Sequence, residues 1–333
     1  MKSWFKSRSA AAALMAGSSL LSAQAGAQSV VAPQLNGGEW LERIARSARE
    51  LPYTGVFIQQ AADGVSTARI THLVDRQGVE LEKIEMLDGP LTEIVRRNDD
   101  MYCYHPDAKT LRVDKRASGR FFPSLISGNS KGIAENYNVK LGTVERVAGF
   151  DCQWVILEPK DAMRYMQKLC AEITTGLLMR ARTYNERNQM LEQFMFTQLD
   201  LSRGVARQSL KSRFEQLPGW QTTETAKVSK TTDTGWKVAH LPAGFKKVAE
   251  MIRNLAGRPA PVSQLVFSDG LSNVSVFVEP LKGNAQTMGA RMTDDSPIAF
   301  AMRPVSDHQV IVMGEVPAAA VQAIADSVMQ KGR

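Results

Sequence analysis

Three cysteines, four histidines and a few strand-borne carboxylates are the residues of this 333-residue chain whose types could carry chemistry. The cysteines are Cys103, Cys152 and Cys170. Cys152 and Cys170 lie symmetrically about Asp161, so a hairpin made of 150–158 and 163–171 sets them opposite each other. A disulfide needs Cβ atoms about 3.5–4.5 Å apart, which a non-hydrogen-bonded cross-strand pair supplies and a one-residue bulge destroys. Cys103–Cys152 is the competing pair, and three buried thiols are the third arrangement open to the chain. No Cys-x-x-Cys redox motif is present. Of His72, His105, His240 and His308, no two share metal-ligand spacing, and there is no His-Glu-x-x-His. A phosphate loop and a dinucleotide-binding glycine motif are both missing. Glu80, Glu82 and Glu85 read as the solvent face of a strand, and Asp294-Asp295 as loop. No nucleophile stands beside a base, so neither an enzyme nor a metal or cofactor site is expected.

The elements around these residues are mostly strands. Asn36, with Glu39 three residues on, has the form of a capping box. The helix it starts runs to about Leu51, with Trp40, Leu41, Ile44, Ala45, Ala48 and Leu51 on one face, and Pro52 ends it. From Tyr53 the chain breaks into β-branched and aromatic runs of 5–9 residues, separated by Gly, Pro and Asp turns, as far as Asp114. That pattern predicts an antiparallel meander with no parallel pairing. Residues 117–138 read as one or two short helices. Strands resume over 139–147, 152–158, 164–172, 177–185, 190–199 and 205–212. About eleven strands predict a large curved sheet wrapped around helices, within an α+β fold.

A polar, Thr-rich stretch over 214–234 reads as a linker between a domain at 36–213 and a smaller α+β domain at 235–330. The second domain is predicted to hold three to five strands. A final helix starts at Pro317, with Ala320, Val321, Ile324 and Val328 on one face.

Residues 1–27 carry Lys2, Lys6 and Arg8, then a short apolar run, and end in Ala25-Gly26-Ala27. This is the pattern of a secretory signal peptide, and the run is too short to span about 30 Å of hydrocarbon. The expectation is a soluble protein outside the cytoplasm with no membrane span. The leader holds three of the 41 basic residues and no acidic one, so 38 face 34 and the net charge falls from +7 to +4. No Lys/Arg block tracks a phosphate backbone, which argues against nucleic acid as a partner.

The concave apolar face of such a sheet needs a cover. Phe121, Phe122, Leu125 and Ile126 are the candidates, over ordinary core or over a lipid groove. An acyl chain there gains about 0.8 kcal/mol per buried methylene. For partner contact the candidates are Trp220, Arg253, Arg258 and Arg291, since Trp and Arg are common binding anchors.

Several segments resemble the RseB/MucB family. They are YTGVFIQQ (53–60), THLVDRQGVELEKIEMLDGP (71–90), MYCYHPDAKT (101–110), LEQFMFTQLDL (191–201), FSDGLSNVSVFVEPL (267–281) and VMGEVPAAAVQAIADSV (312–328). They span about 40 to 330 in the family's order. The resemblance implies an unclosed β-barrel similar to LolA and LppX in the first domain and an anti-sigma-contacting second domain. It further implies a periplasmic negative regulator of the sigma-E envelope stress response. Such a regulator binds the periplasmic region of an RseA- or MucA-like anti-sigma factor and shields it from site-1 proteolysis, with a lipid or lipopolysaccharide signal for release. A lipoprotein carrier of the LolA type is the alternative, and a secreted hydrolase with a dispersed site is a third reading.

Overall fold

The computed structural model describes residues 34–114, 122–126, 130–202, 204–215, 217–225, 233–253, 260–281, 288–292 and 297–332. The leader, Phe121 and Arg258 lie outside the described residues. Helix α1 (Gly37–Glu50) begins with the expected reciprocal cap: the Glu39 amide donates to Asn36 Oδ1 at 3.0 Å and the Asn36 amide to Glu39 Oε2 at 2.7 Å. It buries Trp40, Leu41 and Ile44 completely, each worth about 2 kcal/mol in apolar burial.

Eleven strands follow: β1 (Tyr53–Ala61), β2 (Gly64–Val74), β3 (Glu80–Met86), β4 (Glu93–Arg97), β5 (Asp100–His105), β6 (Thr110–Asp114), then helix α2 (Ser130–Asn136), and β7 (Tyr137–Val147), β8 (Phe150–Pro159), β9 (Met166–Glu172), β10 (Leu178–Tyr184) and β11 (Met190–Asp200). With β12 (Gln221–Thr225) they make one twelve-stranded sheet in the order β12-β6-β5-β4-β3-β2-β1-β11-β10-β9-β8-β7. The order does not return on itself, so β12 and β7 are free edges and the barrel is unclosed. Alternate residues of β1 and β11 point inward into the core cluster that also holds the buried face of α1. Gly55 is required there, because a Cβ would fall 2.7 Å from the Phe196 ring.

Three expectations are corrected. The linker stretch contributes a strand: β12 pairs with β6 in parallel, Gln221 opposite Thr110 and Thr225 opposite Asp114. Residues 205–212 are not a strand but hold a 3-10 turn at Arg207–Leu210, because this segment crosses the outer sheet face instead of extending the ladder. Glu80, Glu82 and Glu85 do not share a solvent face. Side chains alternate with period two, so Glu82 opposes His72 from the interior, where it is 3% exposed, while Glu85 points outward.

Cys152 and Cys170 are joined, with Cys103 a buried free thiol. They are not directly opposite: Cys152 faces Glu172, and Trp154 faces Cys170. The hairpin centres one residue later than expected, which displaces the pair by two. An even displacement keeps both sulfurs on one face, and the Cα atoms lie 5.4 Å apart.

The second part of the chain comprises β13 (Trp236–Val238), β14 (Lys246–Arg253), β15 (Val262–Ser268), β16 (Asn273–Pro280), β17 (Met288–Met292), β18 (Ala299–Val305), β19 (His308–Gly314), helix α3 (Ala318–Ser327) and β20 (Val328–Gln330). Six strands form a sheet in the order β14-β15-β16-β19-β18-β17, and β13 pairs with β20. Val274, Val276 and Val278 alternate onto the face shared with Val310 and Val312, where α3 packs Ala320, Val321 and Ile324. Among the described residues no helix is long and apolar enough to cross a membrane.

Candidate functional site

Part of the concave face of the large sheet is filled by the chain's own side chains. Phe122, 1% exposed, sits in a cage of rings: Phe196 at 4.9 Å, Phe57 at 5.4 Å, and Phe194 stacked at 5.7 Å with an 8° interplanar angle. Ile126 is buried beside it, and Leu125 packs on the same cluster half-exposed. The cage is built by sheet alternation, since Phe57 opposes Phe196 across β1 and β11. Burying a phenylalanine is worth about 3 kcal/mol, and about four acyl methylenes at 0.8 kcal/mol each offset its removal. The site therefore suits exchange of one apolar occupant for another and holds no reactive group.

The two parts of the chain meet at Arg164, in the β8–β9 loop. Its guanidinium is fully buried and reaches Asp269 Oδ2 from the second part at 3.1 Å, Asp161 Oδ1 at 3.0 Å and the Ala243 carbonyl at 2.5 Å. The Tyr137 and Phe245 rings flank it, each centroid 5.5 Å away. The Tyr137 hydroxyl donates to Asp269 Oδ2 at 3.3 Å, and burial pushes its pKa well above the usual phenol value. The other Asp269 oxygen accepts from the Leu271 and Ser272 amides. Gly244, at φ +81°, fits because a Cβ would collide with the Asn136 amide. Met163 packs on the second core and Leu271 on the first. The sequence carried no local mark of this junction: the pair is 105 residues apart, and Asp269-Gly270 read only as a turn.

A second buried carboxylate lies on β11. Glu192 accepts from Gln59 Nε2 at 2.5 Å. Burial raises its pKa from about 4.5 to about 7 against that hydrogen bond, with Glu315 and Asp63 adding to the rise.

The anchors expected from sequence are dispersed. Trp220 is half-buried against Tyr104 (6.0 Å) and Phe214 (5.8 Å), holding the start of β12. Arg253 NH1 lies 3.5 Å from Asp114 Oδ1, across the two parts of the chain. Arg291 is exposed on β17. His72 is a structural clamp, stacked on Tyr53 at 4.9 Å with Nδ1 2.8 Å from the Leu51 carbonyl. Among the described residues no group of three His, Cys, Asp or Glu side chains converges to hold a metal.

Phe122→Ala is expected to lower stability by about 3–5 kcal/mol, read from the urea midpoint, as for other buried aromatics. Asp269→Ala removes one of the two carboxylates on Arg164 and leaves the Tyr137 hydroxyl without its acceptor, so a loss of about 1–3 kcal/mol is expected in the same measurement. For Glu192 the native carboxyl binds a proton that the unfolded one releases between about pH 4.5 and 7. Its contribution is thus fully present below pH 4.5 and lost as pH rises through 7, about 3 kcal/mol in all. Glu192→Gln should flatten that slope in urea titrations run at pH 5 and 7.5; an unchanged slope would refute the assignment.

Comparison with known proteins bears on the whole chain. The profile of the MucB/RseB N-terminal domain matches residues 36–214, and that of the MucB/RseB C-terminal domain matches 230–329. The chain is 30% identical over 293 residues to the sigma factor AlgU regulatory protein MucB of Pseudomonas aeruginosa, covering 87% of this chain and 90% of that protein. It is 24% identical over 328 residues to the sigma-E factor regulatory protein RseB of Escherichia coli, with 98% and 97% covered. The solved complex of Pseudomonas aeruginosa MucA and MucB superposes with a TM-score of 0.72 at 26% identity, over 90% of this chain and 100% of that one. A crystal structure of MucB superposes at 0.62 and 25% identity, with 89% and 98% covered. With both domain profiles matched in order, the chain belongs to the MucB/RseB family.

Proposed function

We propose that this protein is exported to the periplasm and restrains a sigma-E-type envelope stress response. In this reading it binds the periplasmic region of a membrane anti-sigma factor and denies that region to the site-1 protease. The observation that carries it is the match to both domains of a family whose relatives are named sigma-factor regulatory proteins, together with the likeness to MucB solved in complex with MucA. The physics is competition by occlusion. A protease needs an extended, accessible segment, and a bound regulator removes it from that population.

Release follows from linkage. A signal molecule that prefers the free regulator by about 1.4 kcal/mol shifts dissociation tenfold. The Phe122 cage supports an acyl chain as that signal, since lipid entry needs only to replace apolar contact with apolar contact. The same filled cage weighs against a dedicated carrier, whose cavity would have to stand open to cargo.

The experiment is protease protection. The purified periplasmic region of the cognate anti-sigma factor should be cut at least tenfold more slowly by its site-1 protease when this protein is present in excess. Lipopolysaccharide should restore cutting. Equal cutting rates with and without the protein would end the proposal.

A further inference from the structure

After β11 the chain stays on the sheet, crossing the outer face of β2 to β6 as a strap pinned at two points. At one, Arg207 NH1 lies 2.7 Å from Asp75 Oδ2. At the other, fully buried Glu93 accepts from Ser212 Oγ at 2.7 Å and is ion-paired with Arg213, whose Nε lies 2.7 Å away, and with Lys83, whose Nζ lies 3.6 Å away. Between the pins the strap does not close on the sheet, and a solvent-open cavity of about 270 Å³ remains beneath it.

The cavity is chemically two-sided. Its floor is Leu81, Val95, Tyr102 and Tyr104, brought together because Val95 and Tyr102 are direct cross-strand partners. Leu210 of the strap, 4% exposed, also lines it. At the rim stand Arg97 and Lys211, both exposed and neither in an ion pair among the described residues, while Arg207 is held by Asp75. One carboxylate, Glu215, also lines the cavity. Two unpaired cations against one acid leave room for a single negative charge. Burial, with Glu215 and Tyr102 adding, pushes Tyr104 up to about 12, so it stays a neutral donor at physiological pH.

We infer that this cavity binds a small amphipathic monocarboxylate, its head held by Arg97 and Lys211 and its apolar body laid on Leu81, Val95 and the two tyrosines. The guanidinium fork fits a carboxylate edge-on, and at about 30 Å³ per water the space holds some nine waters, or an acid of about ten heavy atoms. Such a carboxylate exists as a free organic acid or as the last residue of a peptide with an apolar side chain; the chemistry of recognition is the same. The cavity lies on the outer face, away from the Phe122 cage, so its occupancy does not rest on the lipid reading of that cage.

Calorimetric titration of the full chain with 3-phenylpropionate tests this, with Trp220 fluorescence as a local reporter, since that ring lies 6.0 Å from Tyr104. Saturable binding is expected, at least tenfold weaker for 3-phenylpropanamide. Arg97→Gln with Lys211→Gln should lose tenfold or more for the acid while keeping the thermal midpoint, because both side chains are exposed. A short peptide ending in phenylalanine that binds tighter than the free acid assigns the site to chain termini; one that binds no tighter assigns it to free acids. The inference is overturned if neither signal saturates, if acid and amide bind alike, or if the double variant binds unchanged.

Discussion

A curved sheet that does not close exposes a concave apolar face, and everything else in this molecule answers that constraint. Helix α1 covers part of it with Trp40, Leu41 and Ile44, and Phe122 fills the aromatic cage between β1 and β11. At one edge the chain supplies its own last strand, since β12 pairs with β6. Backbone donors of β6 that would otherwise need water are thereby satisfied along one side. The covering pieces come from widely separated parts of the sequence. Each is held by apolar contact more than by directional bonds, which makes the interior replaceable in principle by another apolar occupant.

The junction between the two parts is of the opposite kind. Arg164 is bound by two carboxylates and a carbonyl and flanked by two rings, with no route to water. A buried charge network of this sort adds little net stability over an apolar contact, but it tolerates few alternative geometries. It also sits where the β8–β9 loop meets the Asp269 turn, so it couples the large sheet to the second core through directional bonds. An interface held this way is suited to passing a change in one part of the chain to the other, because its partners cannot slide. Arg253 and Asp114 make a second, looser link at 3.5 Å.

These two kinds of cohesion fit a regulator better than a catalyst. The cage around Phe122 is held by ring contacts alone, and the family's relatives are named for sigma-factor regulation. Among the buried polar groups, His72, Glu82, Arg96 and Arg164 are each tied to neighbours inside the protein.

Local pattern determined much of this architecture. The capping box at Asn36 and Glu39, the stop at Pro52, the runs of β1 to β11 and the apolar stripe of α3 were all legible, because a 3.6-residue or two-residue period reflects one element meeting one core. What sequence could not supply was register and long-range pairing. A shift of one residue in a hairpin centre moved Cys152 and Cys170 from opposite to diagonal, and parity alone turned Glu82 inward toward Arg96. The Thr-rich stretch read as linker because its residues are polar, yet an edge strand exposed to water has no need of apolar ones. Arg164 and Asp269 meet, and Arg97 and Lys211 come to line one cavity, only when segments far apart in the chain are laid side by side, and that choice belongs to the packed sheet, whose energy is summed over contacts no local window contains.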